Sequence, residues 1–93
     1  MAIDARSVPK LAKKARLRFD RHSGKHMIMY PERGLELNDS AAEIAKRCDG
    51  TMSVMEIAKD IVKELRLSDV EEAAITTDVI AFVEDLESKG LLE

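Results

Sequence analysis

Apolar and polar positions change their period once along this chain. From Ala15 they alternate: Ala15, Leu17 and Phe19 are apolar, with Arg16, Arg18 and Asp20 between them. A period of two is that of a half-buried strand. Asp20-Arg21-His22-Ser23-Gly24-Lys25 reads as a turn, with Gly24 able to supply a positive φ. His26-Met27-Ile28-Met29-Tyr30 is a second strand, apolar at both parities, which predicts cover on both of its faces. Pro31-Glu32-Arg33-Gly34 makes a second tight turn into a short third strand, Leu35-Glu36-Leu37. Three runs joined by short turns predict an antiparallel meander.

Past residue 39 the period becomes helical. Ser40-Ala41-Ala42-Glu43, Ser53-Val54-Met55-Glu56 and Ser68-Asp69-Val70-Glu71 are Ser-x-x-Glu boxes. In each, the serine oxygen can accept from the N3 amide while the glutamate reaches back to the cap amide. Each box precedes apolar residues spaced three and four apart, so three helices are predicted. The first presents Ala41, Ile44, Ala45 and Cys48 and stops at Asp49-Gly50. The second presents Val54, Ile57, Ala58, Ile61, Val62 and Leu65. The third presents Ile75, Val79, Phe82, Val83 and Leu86, with Gly90 as its C′ residue.

The fold class is therefore α+β: a three-stranded antiparallel sheet followed by a three-helix bundle, the parts of a winged helix with the sheet placed first. Residues 1–14 show no period and read as a flexible or loosely docked basic arm. Residues 15–93 form the domain. In a meander the third strand can lie at an edge, where unpaired amides and carbonyls can accept an extended peptide.

Length and composition narrow the functions. Ninety-three residues allow one domain with a small core. Aromatics are 3% of the chain, too few for a base- or sugar-stacking surface. No apolar run approaches the roughly 20 residues of a membrane span, and the first ten residues lack the apolar stretch of a secretory signal. The single cysteine fits a reducing cytoplasm. Charge is segregated. Residues 1–33 hold nine basic and three acidic side chains, net +6, and residues 34–93 hold six and fifteen, net −9, which together make −3.

The candidate chemistry is sparse. His22, His26 and Cys48 are the usual soft metal ligands, but no paired spacing supports a site. Cys48 reads as a small core residue and the histidines as surface residues. Asp39-Ser40-Ala41 looks a little like the Asp-Ser-Leu carrier motif, but the leucine is missing and helix capping already accounts for Ser40. No nucleophile elbow or phosphate-cradling loop is present, so no enzyme is read here. Helix three carries Glu71, Glu72, Asp78, Glu84, Asp85 and Glu87 against Lys89, which would repel a nucleic-acid backbone. A non-catalytic binding module remains, with a DNA-binding winged-helix regulator as the rival class.

Three segments carry a resemblance: Arg16-Leu17-Arg18-Phe19-Asp20, Tyr30-Pro31-Glu32-Arg33-Gly34-Leu35-Glu36-Leu37-Asn38 and Cys48-Asp49-Gly50-Thr51. With Glu56-Ile57, Asp78-Val79, Phe82 and Gly90-Leu91, they resemble the PqqD family of pyrroloquinoline quinone (PQQ) biosynthesis over about Pro9 to Leu92. The resemblance implies a peptide chaperone that binds the ribosomal precursor peptide PqqA. It would present that peptide to the radical S-adenosylmethionine enzyme PqqE for glutamate–tyrosine crosslinking. No cofactor of its own, no membrane and no nucleic acid are implied. The alternative within the fold is a recognition element for another ribosomally made, modified peptide.

By the same resemblance the peptide adds as a strand beside strand three, with helix three on the other side of the groove. Arg33, Gly34, Leu35, Glu36 and Leu37 then form the edge, and Val70, Ile75, Asp78 and Val79 the helical wall. Arg16, Arg18 and Arg33 are expected to steer an acidic peptide or the enzyme, given the basic front third. The basic arm and short turns would also permit a homodimer by strand exchange.

Overall fold

The alternation after Ala15 becomes β1, Arg16–Asp20, in a computed structural model that describes residues 3–31 and 33–93. Met1 and Ala2 of the expected arm and Glu32 of the expected second turn lie outside the described residues. The first turn closes on Asp20. Its carbonyl accepts from the Gly24 amide at 2.8 Å, and its carboxylate accepts from the His22 amide and the Ser23 hydroxyl, each at 3.0 Å. Those bonds, the His22 amide first, hold the Asp20 carboxyl below the usual range. Gly24 takes φ +71°, which the turn requires.

Strands β2 (Lys25–Tyr30) and β3 (Arg33–Leu37) complete an antiparallel sheet of order β1-β2-β3. Its register pairs Leu17 with Ile28 and Ile28 with Leu35, so these three share one face. That inner face packs on α1 (Asp39–Lys46) and on the end of α3 (Asp69–Ser88), in a core of Ala15, Ile28, Leu37, Ala42, Leu86 and Leu91. A second core, built from Ile44, Val54, Ile57, Ile61, Val79 and Val83, joins α1, α2 (Val54–Leu65) and α3. Leu11, Phe82 and Leu92 pack against both cores.

The expected cover on both faces of β2 is not found among the described residues. The helices all lie on the inner side, and Met29 on the outer side is 40% exposed.

Two of the three capping boxes form, at Ser53/Glu56 and Ser68/Glu71. The first does not. Asn38 has extended backbone and its Oδ1 accepts from the Ala41 amide at 2.7 Å, so α1 starts at Asp39 with Ser40 already inside its first turn. Glu43 turns instead to Lys46 Nζ at 3.0 Å.

At the other end of α3, Leu91 N–H donates to Leu86 O at 2.9 Å and Gly90 N–H to Glu87 O at 3.0 Å. Gly90 sits at φ +70°. This is a Schellman closure, with Leu91 buried on Leu86.

Part of the N-terminal segment bonds to the domain through its backbone. Leu11 N–H donates to Cys48 O at 2.9 Å, and Ala12 N–H to Leu91 O at 2.8 Å. Ser7 O and Ala5 O accept the Val54 and Met55 amides at 2.8 and 3.0 Å. These are the first two amides of α2, which have no partner within the helix. The segment therefore caps α2 with its own backbone.

Candidate functional site

Among the described residues the β3 strand has β2 as its one strand neighbour, so its other side is a free edge. Its Leu37 end runs directly into α1, because Asn38 caps the helix at once. A cavity of about 300 Å³ opens there. Its apolar walls come from Ala42 and Ile44 of α1, Ile61 and Leu65 of α2, and Ile75 of α3. His26, the cross-strand partner of Leu37, adds an aromatic wall. The volume is at the lower end of the roughly 300–1,000 Å³ of ligand sites, room for one large side chain or two small ones.

Charge around the cavity is mainly negative. Asp39, Glu43 and Asp78 contribute carboxylates, with Lys46 as the one lysine among the described residues of the lining. Lys46 is bound to Glu43 at 3.0 Å, and Glu43 also faces Arg47 Nη1 at 3.7 Å. Among the described residues neither Asp39 nor Asp78 has an ion-pair partner. The mouth therefore favours an apolar side chain with a cation beside it over an acidic segment.

The sequence-expected residues divide. Ile75 and Asp78 do line the cavity. Arg33, Gly34 and Glu36 are exposed at the edge, while Leu35 is half-buried and Leu37 buried against the inner core. Glu36 is held by Lys25 Nζ at 2.6 Å. Val70 is 85% exposed on the first turn of α3 and does not line the cavity.

Val79 is placed differently from Ile75. It is 0% exposed inside the helical core and offers a ligand no surface, because its stripe turns toward α2. Arg16 and Arg18 lie on the outer face of β1, across the sheet from the cavity.

Sequence reasoning missed His26 and Leu65. The histidine was expected at the surface, yet it is half-buried, edge-on to Phe19 with ring centroids 4.9 Å apart. Leu65 continues the apolar stripe of α2, which suggested burial, but it is 52% exposed at the cavity wall. Its position as the last residue of α2 was the available signal.

The Cys48 thiol is unavailable as a ligand. Burial, and then the neighbouring Asp49, push the Cys48 thiol up to about 12. Its Sγ donates to Ile44 O at 3.3 Å. Among the described residues no group of three or more His, Cys, Asp or Glu side chains could hold a metal ion, and no helix is long and apolar enough to cross a membrane.

Comparison with known proteins settles the family. The model of coenzyme PQQ synthesis protein D (PqqD) matches residues 25–92. The chain belongs to the PqqD family. A PqqA binding protein of Rhodopseudomonas palustris is 37% identical over 92 residues, which cover 99% of this chain and 87% of that one.

Two solved PqqD structures share the architecture. One is the solution structure of the PqqD truncation of Methylobacterium extorquens PqqCD, described as a stand-alone recognition element for ribosomally synthesized and post-translationally modified peptides. It superposes with a TM-score of 0.83 at 33% identity, covering 99% of this chain and 95% of that one. The crystal structure of PqqD from Xanthomonas campestris gives 0.61 at 36% identity, covering 99% of each. The PqqD family model begins at Lys25, so β1 and its arginines lie outside that match, although both structures span them.

Proposed function

We propose that this chain is a peptide chaperone of PQQ biosynthesis. It binds the precursor peptide PqqA and presents it to PqqE for crosslinking between a glutamate and a tyrosine. The observation that carries this reading is the free edge of β3 ending at an apolar cavity, in a chain whose relatives are named PqqA binding proteins. The peptide pairs with β3 along Arg33–Leu37 through main-chain bonds, each worth about 0.5–1.5 kcal/mol net. It places an apolar side chain against Leu65 and Ile75, with a basic neighbour near Asp39 and Asp78.

The role is binding rather than catalysis, a reading supported by relatives named PqqA binding proteins. The cytoplasm is the compartment in which such a precursor is made and modified.

Calorimetric titration with synthetic PqqA tests the reading, followed by amide shift mapping. One-to-one binding with shifts concentrated in Arg33–Leu37 and Ile75 is the expected result. A folded chain that binds no PqqA would move the assignment to another modified-peptide pathway.

A further inference from the structure

We propose that the outer face of the sheet is the docking surface for the peptide-modifying enzyme, and that it fits a protein surface acidic around a shallow apolar centre. This rests on the peptide-binding reading above and adds a second, separate surface to it.

Strand alternation places Arg16, Arg18, Met27, Met29, Gly34 and Glu36 on this face. The α1 helix covers the opposite one, and among the described residues no element packs here. The register sets Arg16 opposite Met29 and Met29 opposite Gly34, with Arg18 opposite Met27 and Met27 opposite Glu36. A Cβ at Gly34 would stand 3.0 Å from Met27 Cε and 3.3 Å from Met29 Sδ. Both thioether chains therefore lie across the glycine and make a low apolar strip toward β3. Methionine is unbranched and polarizable, which suits a surface that must adapt to a partner.

The charges select the partner. Lys25 is tied to Glu36 at 2.6 Å, and the Asp20 carboxylate is engaged in its own turn. Arg16 and Arg18 stand exposed beside the methionines, with no ion-pair partner among the described residues. An acidic protein surface is attracted to this face and repelled by the acid-rimmed cavity. The two ligands are thus sorted by charge, and the edge of β3 stays open to the peptide while the face is occupied.

Two variants of the full chain test this, Arg16→Glu/Arg18→Glu and Met27→Ser/Met29→Ser. Each is checked for an intact fold by its amide spectrum and then titrated separately with PqqE and with synthetic PqqA. Arg16→Gln/Arg18→Gln replaces the charge reversal should β1 fail to pair. The expected result is PqqE binding weakened by about tenfold in each variant, with flatter salt dependence in the arginine variant. PqqA affinity should stay within about twofold of the parent.

PqqE affinity unchanged in both variants overturns the proposal. Parallel loss of PqqA and PqqE affinity also overturns it, since the face would then belong to the peptide site. So does a parent chain that sediments as a dimer which the variants dissociate. A parent that binds PqqE through this face but not PqqA removes the peptide reading and leaves the docking surface standing.

Discussion

Arg47 at the end of α1 donates through Nε to Asp60 Oδ2 on α2 at 2.7 Å. Its Nη1 donates to Glu43 O at 2.8 Å and its Nη2 to Glu64. The guanidinium is buried among these acceptors. Burial opposes its charge, but the bond to Asp60 and the fields of Glu64, Asp60 and Glu43 outweigh that and raise its pKa. One side chain thereby fixes α1, which forms a wall of the candidate peptide cavity, against α2.

Arg47→Ala should lower stability by about 1.5–3 kcal/mol. The carboxylates of Asp60 and Glu64 are 46% and 57% exposed and rehydrate when released, which keeps the loss below that of a fully buried pair. Arg47→Lys should recover only part, because an ammonium cannot reproduce the fork. The urea midpoint at unchanged m-value is the measurement.

Ile75 and Val79 lie one turn apart on α3 and should respond differently. Ile75→Ser should weaken PqqA binding by about tenfold and lower the melting temperature by a few degrees, because Ile75 borders the cavity and also packs in part on the helical core. Val79→Ala should cost about 2 kcal/mol of stability and leave affinity near the parent value, because Val79 is core. Equal effects on binding and melting in both would place the two residues in one role. The sequence stripe includes both positions, and only the packing of α2 on α3 tells which one is free.

The α2 helix is capped at its C-terminus by Arg66, a non-glycine residue at φ 56°, ψ 43°. There its amide donates to Lys63 O at 3.3 Å and the Leu67 amide to Val62 O at 2.9 Å. A side chain in this region is strained and glycine is not. Arg66→Gly should therefore stabilise the chain by about 0.5–1 kcal/mol, read as a melting temperature raised by roughly 2–8 °C.

Glu56 is held below the usual glutamate range by the Ser53 amide and then the Ser53 hydroxyl. A carboxylate with a depressed folded-state pKa adds stability above its unfolded value that is lost as pH falls through the folded one. The capping box of α2 should thus be at full strength above pH 4.5 and weaken progressively below it. Thermal melts from pH 7 to 3 should show a smaller acid-induced drop in Glu56→Gln than in the parent. An identical drop in both would assign the acid sensitivity to other carboxylates, such as Asp20 and Asp49.

Deleting residues 1–8 removes the carbonyls of Ala5 and Ser7 that cap Met55 and Val54. A loss of about 1–2 kcal/mol is expected, with faster amide exchange at the start of α2. A truncated chain as stable as the parent would return this segment to the status of a loose arm.

Element order, strand parity, the α2 and α3 starts and the Cys48 core position were legible in the sequence alone. Each is a local matter, set by the side-chain period or by a cap that bonds within one turn. The start of α1 was misread because Asn38 and Ser40 are both good caps, and the sequence does not say which residue's backbone is extended. The backbone bonds of residues 5–12 were out of reach because their partners, the Cys48 and Leu91 carbonyls and the first amides of α2, are distant in sequence.

The cavity lay further from reach. Its walls come from β2 and three helices, and whether Leu65, Ile75 or Val79 faces a ligand depends on helix rotation in the bundle. Periodicity states that a face is apolar. Only packing decides whether that face meets another element or stays open, as it does at Met29 and Leu65, since burial is a relation between segments and not a property of one.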